Sequence, residues 1–193
     1  MRMRGWILAL ALLLGGNAVA EEFAGRPALE RLSGVWESPA PEPWYGGWGT
    51  RRFEFGNGRW SLVFIHALDP AMQRRTFQFR TQGPYSIGAP GSVPGSFAAV
   101  FGEEVKLVTL LTPDPAVAAA YRIGDCGLRL GEEMDISARG CGGWRPVAEC
   151  GEDHDLLALR GREMFFGVRP RDNDMCTAAR RPTALLPPVL RRD

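Results

Sequence analysis

The chain is short of the residues from which most catalytic and metal centres are assembled. It has two histidines, His66 and His154, and a single lysine, Lys106, in 193 residues. No G-x-S-x-G elbow is present, and Ser92 and Ser96 sit in a Gly- and Pro-rich stretch where serine is ordinary turn chemistry. No C-x-x-C pair suggests zinc or thiol exchange. The sequence therefore predicts no metal, no cofactor and no catalytic residue. A hydrolase would have to assemble His66 or His154 with a distant nucleophile and carboxylate. Long apolar runs are also missing, apart from one at the start that is too short for the ~20 residues a bilayer span needs.

That first run has the make-up of an export signal. Arg2 and Arg4 form a basic segment, residues 6–14 an apolar one, and Ala18-Val19-Ala20 ends in the small residues a signal peptidase accepts. Cleavage is expected after Ala20, giving a periplasmic or secreted protein with no transmembrane segment. No cysteine follows the site to anchor a lipid. Without Arg2 and Arg4 the remaining chain has 21 basic against 22 acidic residues, a formal charge of −1. So balanced a charge offers no electrostatic footprint for nucleic acid or an anionic membrane. The preference for Arg, Ala, Gly and Pro fits a GC-rich bacterial genome.

Four cysteines, Cys126, Cys141, Cys150 and Cys176, are an even set in an exported chain and predict two disulfides. Three connectivities are open; sequential pairing, 126 with 141 and 150 with 176, closes the shortest loops. Residues 21–31 read as a leader, 32–188 as one domain of a length that supports its own core, and 189–193 as a tail. The segment from 170 onward, rich in Arg and Pro, is expected to wrap the surface.

Strand patterns dominate the domain. Residues 32–38 alternate, 39–49 form a Pro, Gly and aromatic loop, and 50–55 with 60–66 make a hairpin around Gly56-Asn57-Gly58. Strands are expected at 76–80, with a continuation through Tyr85 and Ile87, and at 98–101 and 104–111 as a pair joined near Gly102-Glu103. Others are expected at 133–137, 155–159 and 163–168, the last two forming a hairpin about Gly161. One helix is expected at 115–121, with Thr112 as its N-cap and Pro113 in its first turn. Glu152-Asp153-His154-Asp155 reads as a solvated turn leading into a strand. The pattern predicts an all-β, mainly antiparallel fold: a curved sheet or half-barrel, lipocalin-like, with one short helix.

What is abundant is aromatic surface: six Trp, ten Phe and three Tyr, many at alternating strand positions. One apolar face would carry Phe53, Phe55, Trp60, Leu62, Phe64, Phe77 and Phe79. Such a face fills a core or, on a curved sheet with little to cover it, walls a hydrophobic ligand site. In the second case Arg51 or Arg80 is expected to meet a carboxylate or phosphate head. The competing expectation is an envelope interaction domain, closed by its own side chains, that binds a protein through the loop bearing Trp44, Tyr45 and Trp48.

Six segments occur in order: Leu32-x-Gly34-x-Trp36-x-Ser38; Thr50-Arg51-Arg52-Phe53-Glu54-Phe55 with the Asn57 turn and Trp60; Asp69-Pro70 with Thr76-Phe77; Val108-Thr109 through Thr112-Pro113 to Asp125-Cys126-Gly127; Gly140-Cys141; and residues 160–170. Together they resemble the domain family named for adenomatosis polyposis coli down-regulated one, a secreted Wnt-antagonist type domain with bacterial members. The resemblance covers about residues 32–188 and implies an antiparallel half-barrel, here in single copy, with a pocket that accommodates a lipid acyl chain. It also implies the pairing of Cys126 with Cys141. The family's early cysteines have no counterpart here, nor is there an N-x-S/T site. A bacterial cell has no Wnt to inhibit, so fold and acyl binding carry over and the signalling partner does not.

Overall fold

The structure, a computed structural model, describes residues 22–193, so the expected signal peptide, residues 1–20, lies outside the described residues. The central hairpin forms as its alternation predicts. β3 (Gly47–Gly56) and β4 (Arg59–Ala67) pair through Phe55↔Trp60, Phe53↔Leu62 and Arg51↔Phe64, around a turn in which Asn57 and Gly58 both have positive φ. That turn matches the twist of the strands it joins. β1 (Gly34–Glu37) lies on the other side of β3, β2 (Glu42–Trp44) extends β3 at its first residues, and β5 (Arg75–Pro90) lies on the other side of β4.

The sheet forks along β5. β6 (Phe97–Gly102) and β7 (Val105–Leu110) follow one another in the same direction down one edge of this long strand, β6 beside residues 85–90 and β7 beside 77–82. They are joined near Gly102-Glu103 as expected, but each pairs with β5. The break falls where Gly83 meets Gly102: a Cβ on Gly83 would stand 2.1 Å from the Gly102 carbonyl oxygen, so the crossing needs glycine. From the fork, β6 pairs with β9 (Glu152–Arg160), β9 with β10 (Glu163–Phe166), β10 with β11 (Val189–Arg191), and β11 with β1. This closes an eight-stranded antiparallel barrel and removes its edges. The other limb, β7 with β8 (Glu133–Asp135), leaves the barrel.

The expected all-β fold is thus present, but the half-barrel is completed. Two segments read as peripheral complete it. Residues 189–193 hold β11, whose Val189 is fully buried, and the 21–31 leader holds a short helix, α1 (Arg26–Leu29). Leu29 and Leu32 are buried in the barrel core, where the Tyr85 hydroxyl donates to Leu29 O (3.0 Å) and accepts from Leu32 N (3.1 Å). The other helix, α2 (Pro115–Ala120), is capped two residues later than expected. Asp114 accepts from Ala116 N at 2.9 Å and Pro115 takes the first turn, while Thr112 accepts from Asp114 N instead. Among the described residues no helix is long and apolar enough to cross a membrane.

Two apolar cores follow from the fork. Trp36, Phe53, Phe55, Trp60, Phe101 and Phe166 fill the barrel, whereas Phe64, Phe77, Phe79 and Val108 pack under α2 and the loop after β8; Leu62 touches both. Both disulfides join the expected partners. Cys126–Cys141 (Cα–Cα 5.6 Å) closes the lobe around α2, and Cys150–Cys176 (5.1 Å) ties the chain after β10 to the start of β9. With sequence separations of 15 and 26, chain entropy alone gives about 3 and about 3.5 kcal/mol.

Candidate functional site

Where the barrel meets the second lobe, the inward faces of β3, β4 and β5 continue past the barrel core and line a cavity of about 90 Å³. Its walls are aromatic. Phe53 stacks on Phe166 (centroids 4.0 Å), Phe79 stacks on Trp144 (4.9 Å), and Trp44 stands edge-on to Phe64 (5.5 Å). Gly49 makes room for this contact, since a Cβ there would lie 2.5 Å from the Phe64 ring and 2.9 Å from Trp44 Cδ1.

Arg51 is one of the charged residues that line the cavity. Inward on β3 and 4% exposed, it donates through Nη2 to both Glu42 oxygens (3.0 and 2.9 Å) and to Pro187 O (2.9 Å). Ser38 completes the arrangement, donating to Glu42 Oε1 (2.6 Å) and accepting from Arg51 N (2.9 Å). Among the described residues Arg51 Nε and Nη1 have no partner, and neither has the indole nitrogen of Trp44, whose ring lies 5.8 Å from the guanidinium carbon. Burial draws the guanidinium pKa down against the opposing pull of Glu42. Each unmade buried hydrogen bond costs about 1–3 kcal/mol, so these three donors, on two residues that line the cavity, favour an acceptor.

The remaining cations are paired. Lys106, inward on β7, donates to Glu103 Oε2 (2.9 Å), Cys150 O (2.6 Å) and Arg145 O (3.1 Å). Arg169 pairs with Asp153 (2.6 Å) and donates to Asn173 Oδ1 (2.7 Å), which also accepts from the Tyr45 hydroxyl (2.8 Å) at the cavity mouth. Arg145 pairs with Asp174. Asp155 is buried and accepts from Leu156 N (2.6 Å) and Gly167 N (2.8 Å). Burial above all pushes both Glu103 and Asp155 up to about 7, with the Asp153 charge adding to it; Lys106 opposes this at Glu103, and Arg169 at Asp155.

These two carboxyls give the protein a pH dependence of definite sign. In the unfolded chain they titrate near 4.5 and 3.8, so the folded state holds their protons more tightly. That advantage is complete below about pH 4 and is lost as pH rises through 7. His66, kept neutral by burial, acts in the opposite sense below its ordinary value of 6.5. The comparison is therefore made above it. Thermal unfolding is expected about 3–6 °C lower at pH 8 than at pH 6.5. Asp155→Asn, which keeps an oxygen for both amides, should remove about half of that difference; an unchanged difference would contradict the role given to Asp155.

Of the residues the sequence placed at a ligand site, Arg51, Phe53, Trp60, Leu62, Phe64 and Phe79 line the cavity together. Phe55 and Phe77 do not. Phe55 packs edge-on to Trp36 and Tyr85 in the barrel, and Phe77 stacks on His66 in the second core. Arg80 is corrected outright: because Phe79 points inward, Arg80 points out, exposed and paired with Glu133 (2.9 Å). Residues 152–155 are likewise not a solvated turn. They open β9, and alternation carries Asp153 and Asp155 inside while leaving Glu152 exposed. That period-2 spacing of two acids was the signal available in the sequence, as was Lys106 sharing its strand face with Val108.

The histidines sit apart from this chemistry. His66 is fully buried, its Nε2 donating to Trp44 O (3.0 Å) and its Nδ1 next to Thr76 Oγ1 (2.7 Å). His154 lies beside Glu152 (3.5 Å) and Arg181 (3.4 Å). Among the described residues no three His, Cys, Asp or Glu side chains converge as a cation site. Neither protein-family models nor curated proteins yield a match to this chain.

Proposed function

We propose that this is an exported, non-catalytic binding domain whose barrel mouth takes a hydrophobic ligand with an anionic head. The carrying observation is Arg51, a buried guanidinium with two nitrogens unpartnered in an aromatic-lined cavity. The apolar part of the ligand would be held by burial, at about 25 cal/mol per Å² before the costs of association. The resemblance to the adenomatosis polyposis coli down-regulated one family, whose pocket accommodates lipid, supports an acyl group as that part. The two disulfides support an oxidising compartment such as the periplasm or cell exterior.

Native mass spectrometry of protein purified from a periplasmic expression host is expected to detect a co-purifying small molecule, and delipidated protein to take up an added carboxylate amphiphile. Protein that carries nothing and takes up nothing contradicts the proposal. A second reading, a protein-interaction domain, draws on the packed barrel interior and on Tyr45, which is 39% exposed at a positive-φ turn beside the mouth. It gains only if that uptake fails.

A further inference from the structure

The size and charge of the cavity limit what it can hold more narrowly than its aromatic lining does. At about 90 Å³ it is smaller than the ~150 Å³ apolar cavity that admits one benzene ring. The barrel offers no continuation for a chain, because Phe53, Trp60, Phe101 and Phe166 pack against one another directly beyond it. The far end is occupied by Leu29, Leu32 and Tyr85. Even a single ring must therefore stand partly in the mouth beside Tyr45, and anything longer must project through it.

The head is limited by charge. Each of the four cations lining the cavity already has a carboxylate: Arg51 has Glu42, Lys106 has Glu103, Arg145 has Asp174 and Arg169 has Asp153. Asp155 adds a further acid that, among the described residues, is bound to two main-chain amides and pairs with no cation. No excess positive charge waits for a dianion. What remains, among the described residues, is a set of N–H donors without a hydrogen-bond partner, Arg51 Nε and Nη1 and Trp44 Nε1, on two residues that line the cavity. Several donors without spare charge match the lone pairs of a carboxylate, which accepts several hydrogen bonds and carries a single charge. A phosphate monoester would bring a second negative charge towards Asp155, Asp153 and Glu103.

We infer that the cavity selects a compact monocarboxylate, one aromatic ring or a short acyl chain bearing a single carboxylate, over long-chain and phosphorylated amphiphiles. The inference rests on the proposed binding function and narrows its ligand class.

Isothermal titration of delipidated protein at pH 8 with benzoate, hexanoate, decanoate below its micelle concentration, and phenyl phosphate tests it. Each further buried methylene is worth roughly fourfold in affinity, so four more would give roughly 200-fold if a chain had room. The expected result is measurable binding of benzoate and hexanoate, less than tenfold gain for decanoate over hexanoate, and phenyl phosphate at least tenfold weaker than benzoate. A decanoate gain near the full 200-fold, or phenyl phosphate as tight as benzoate, overturns the selectivity while leaving a hydrophobic-ligand site standing. No binding by any of the four overturns both.

Discussion

Lys106→Met should lower the free energy of unfolding by about 3–5 kcal/mol, the cost of leaving a buried partner charge uncompensated. Lys106 is 2% exposed, and its three ammonium hydrogens meet three acceptors: the Glu103 carboxylate and the carbonyls of Arg145 and Cys150. Those acceptors belong to different parts of the fold. Glu103 lies in the break between β6 and β7, Arg145 in the loop beyond β8, and Cys150 at the entrance to β9, where a disulfide begins. One side chain therefore stitches the two limbs of the forked sheet together at the point where they separate.

The loss should be larger at pH 8 than at pH 6.5, because Glu103, raised to about 7, takes a proton at the lower pH and no longer needs a cation. Adding Glu103→Gln to Lys106→Met should recover part of the stability. Full recovery is not expected, since two carbonyls still lack their donor. Urea unfolding midpoints with an unchanged slope would measure it. A loss under about 1 kcal/mol would mean that the pair is not buried as described.

Much of the fold was legible because strand alternation and turn chemistry are local. The β3–β4 hairpin, the β9–β10 hairpin and the inward face from Phe53 to Phe64 were all readable from period-2 spacing around Asn57-Gly58 and Gly161. Barrel closure was not, because it depends on which distant strands meet. Val189 and Leu190 are two apolar residues in a stretch of Arg and Pro, too short to announce a strand until β1 and β10 stand on either side. The fork was hidden for the same reason. Nothing near Gly102 distinguishes a hairpin turn from a break in one continuing strand, and the partner that decides it, Gly83, is nineteen residues away.

The site divides along the same line. Its apolar wall belongs to consecutive alternating strands and was expected from them, as was Arg51. Arg80 was misplaced because an arginine beside an inward Phe looks usable in sequence, though the pleat sends it to the opposite face. The buried acids were missed because polar clusters are mostly solvated, and only the packing of β9 against β6, with the disulfide-tethered chain over it, takes Asp153 and Asp155 out of water.

The second large effect concerns ligand affinity at the proposed site. Arg51→Met alone would orphan Glu42 and confound binding with folding, so the informative variant is Arg51→Met with Glu42→Gln, in which the Gln oxygen can still accept from Ser38. This pair of changes removes the charged donors and leaves the aromatic walls in place. A hydrogen bond to a charged group contributes about 1.5–3 kcal/mol, so the loss should be roughly 10- to 150-fold in affinity for an anionic ligand. A neutral ligand of the same shape should lose little.

The deciding measurement is the ratio of benzoate to benzamide affinity, by isothermal titration, in the wild-type protein and in the Arg51→Met/Glu42→Gln variant. Anchoring of an anionic head at Arg51 predicts that wild type prefers benzoate by at least about tenfold and that the variant loses this preference while still binding benzamide. The same ratio in both proteins, or no binding of either compound to wild type, would contradict it.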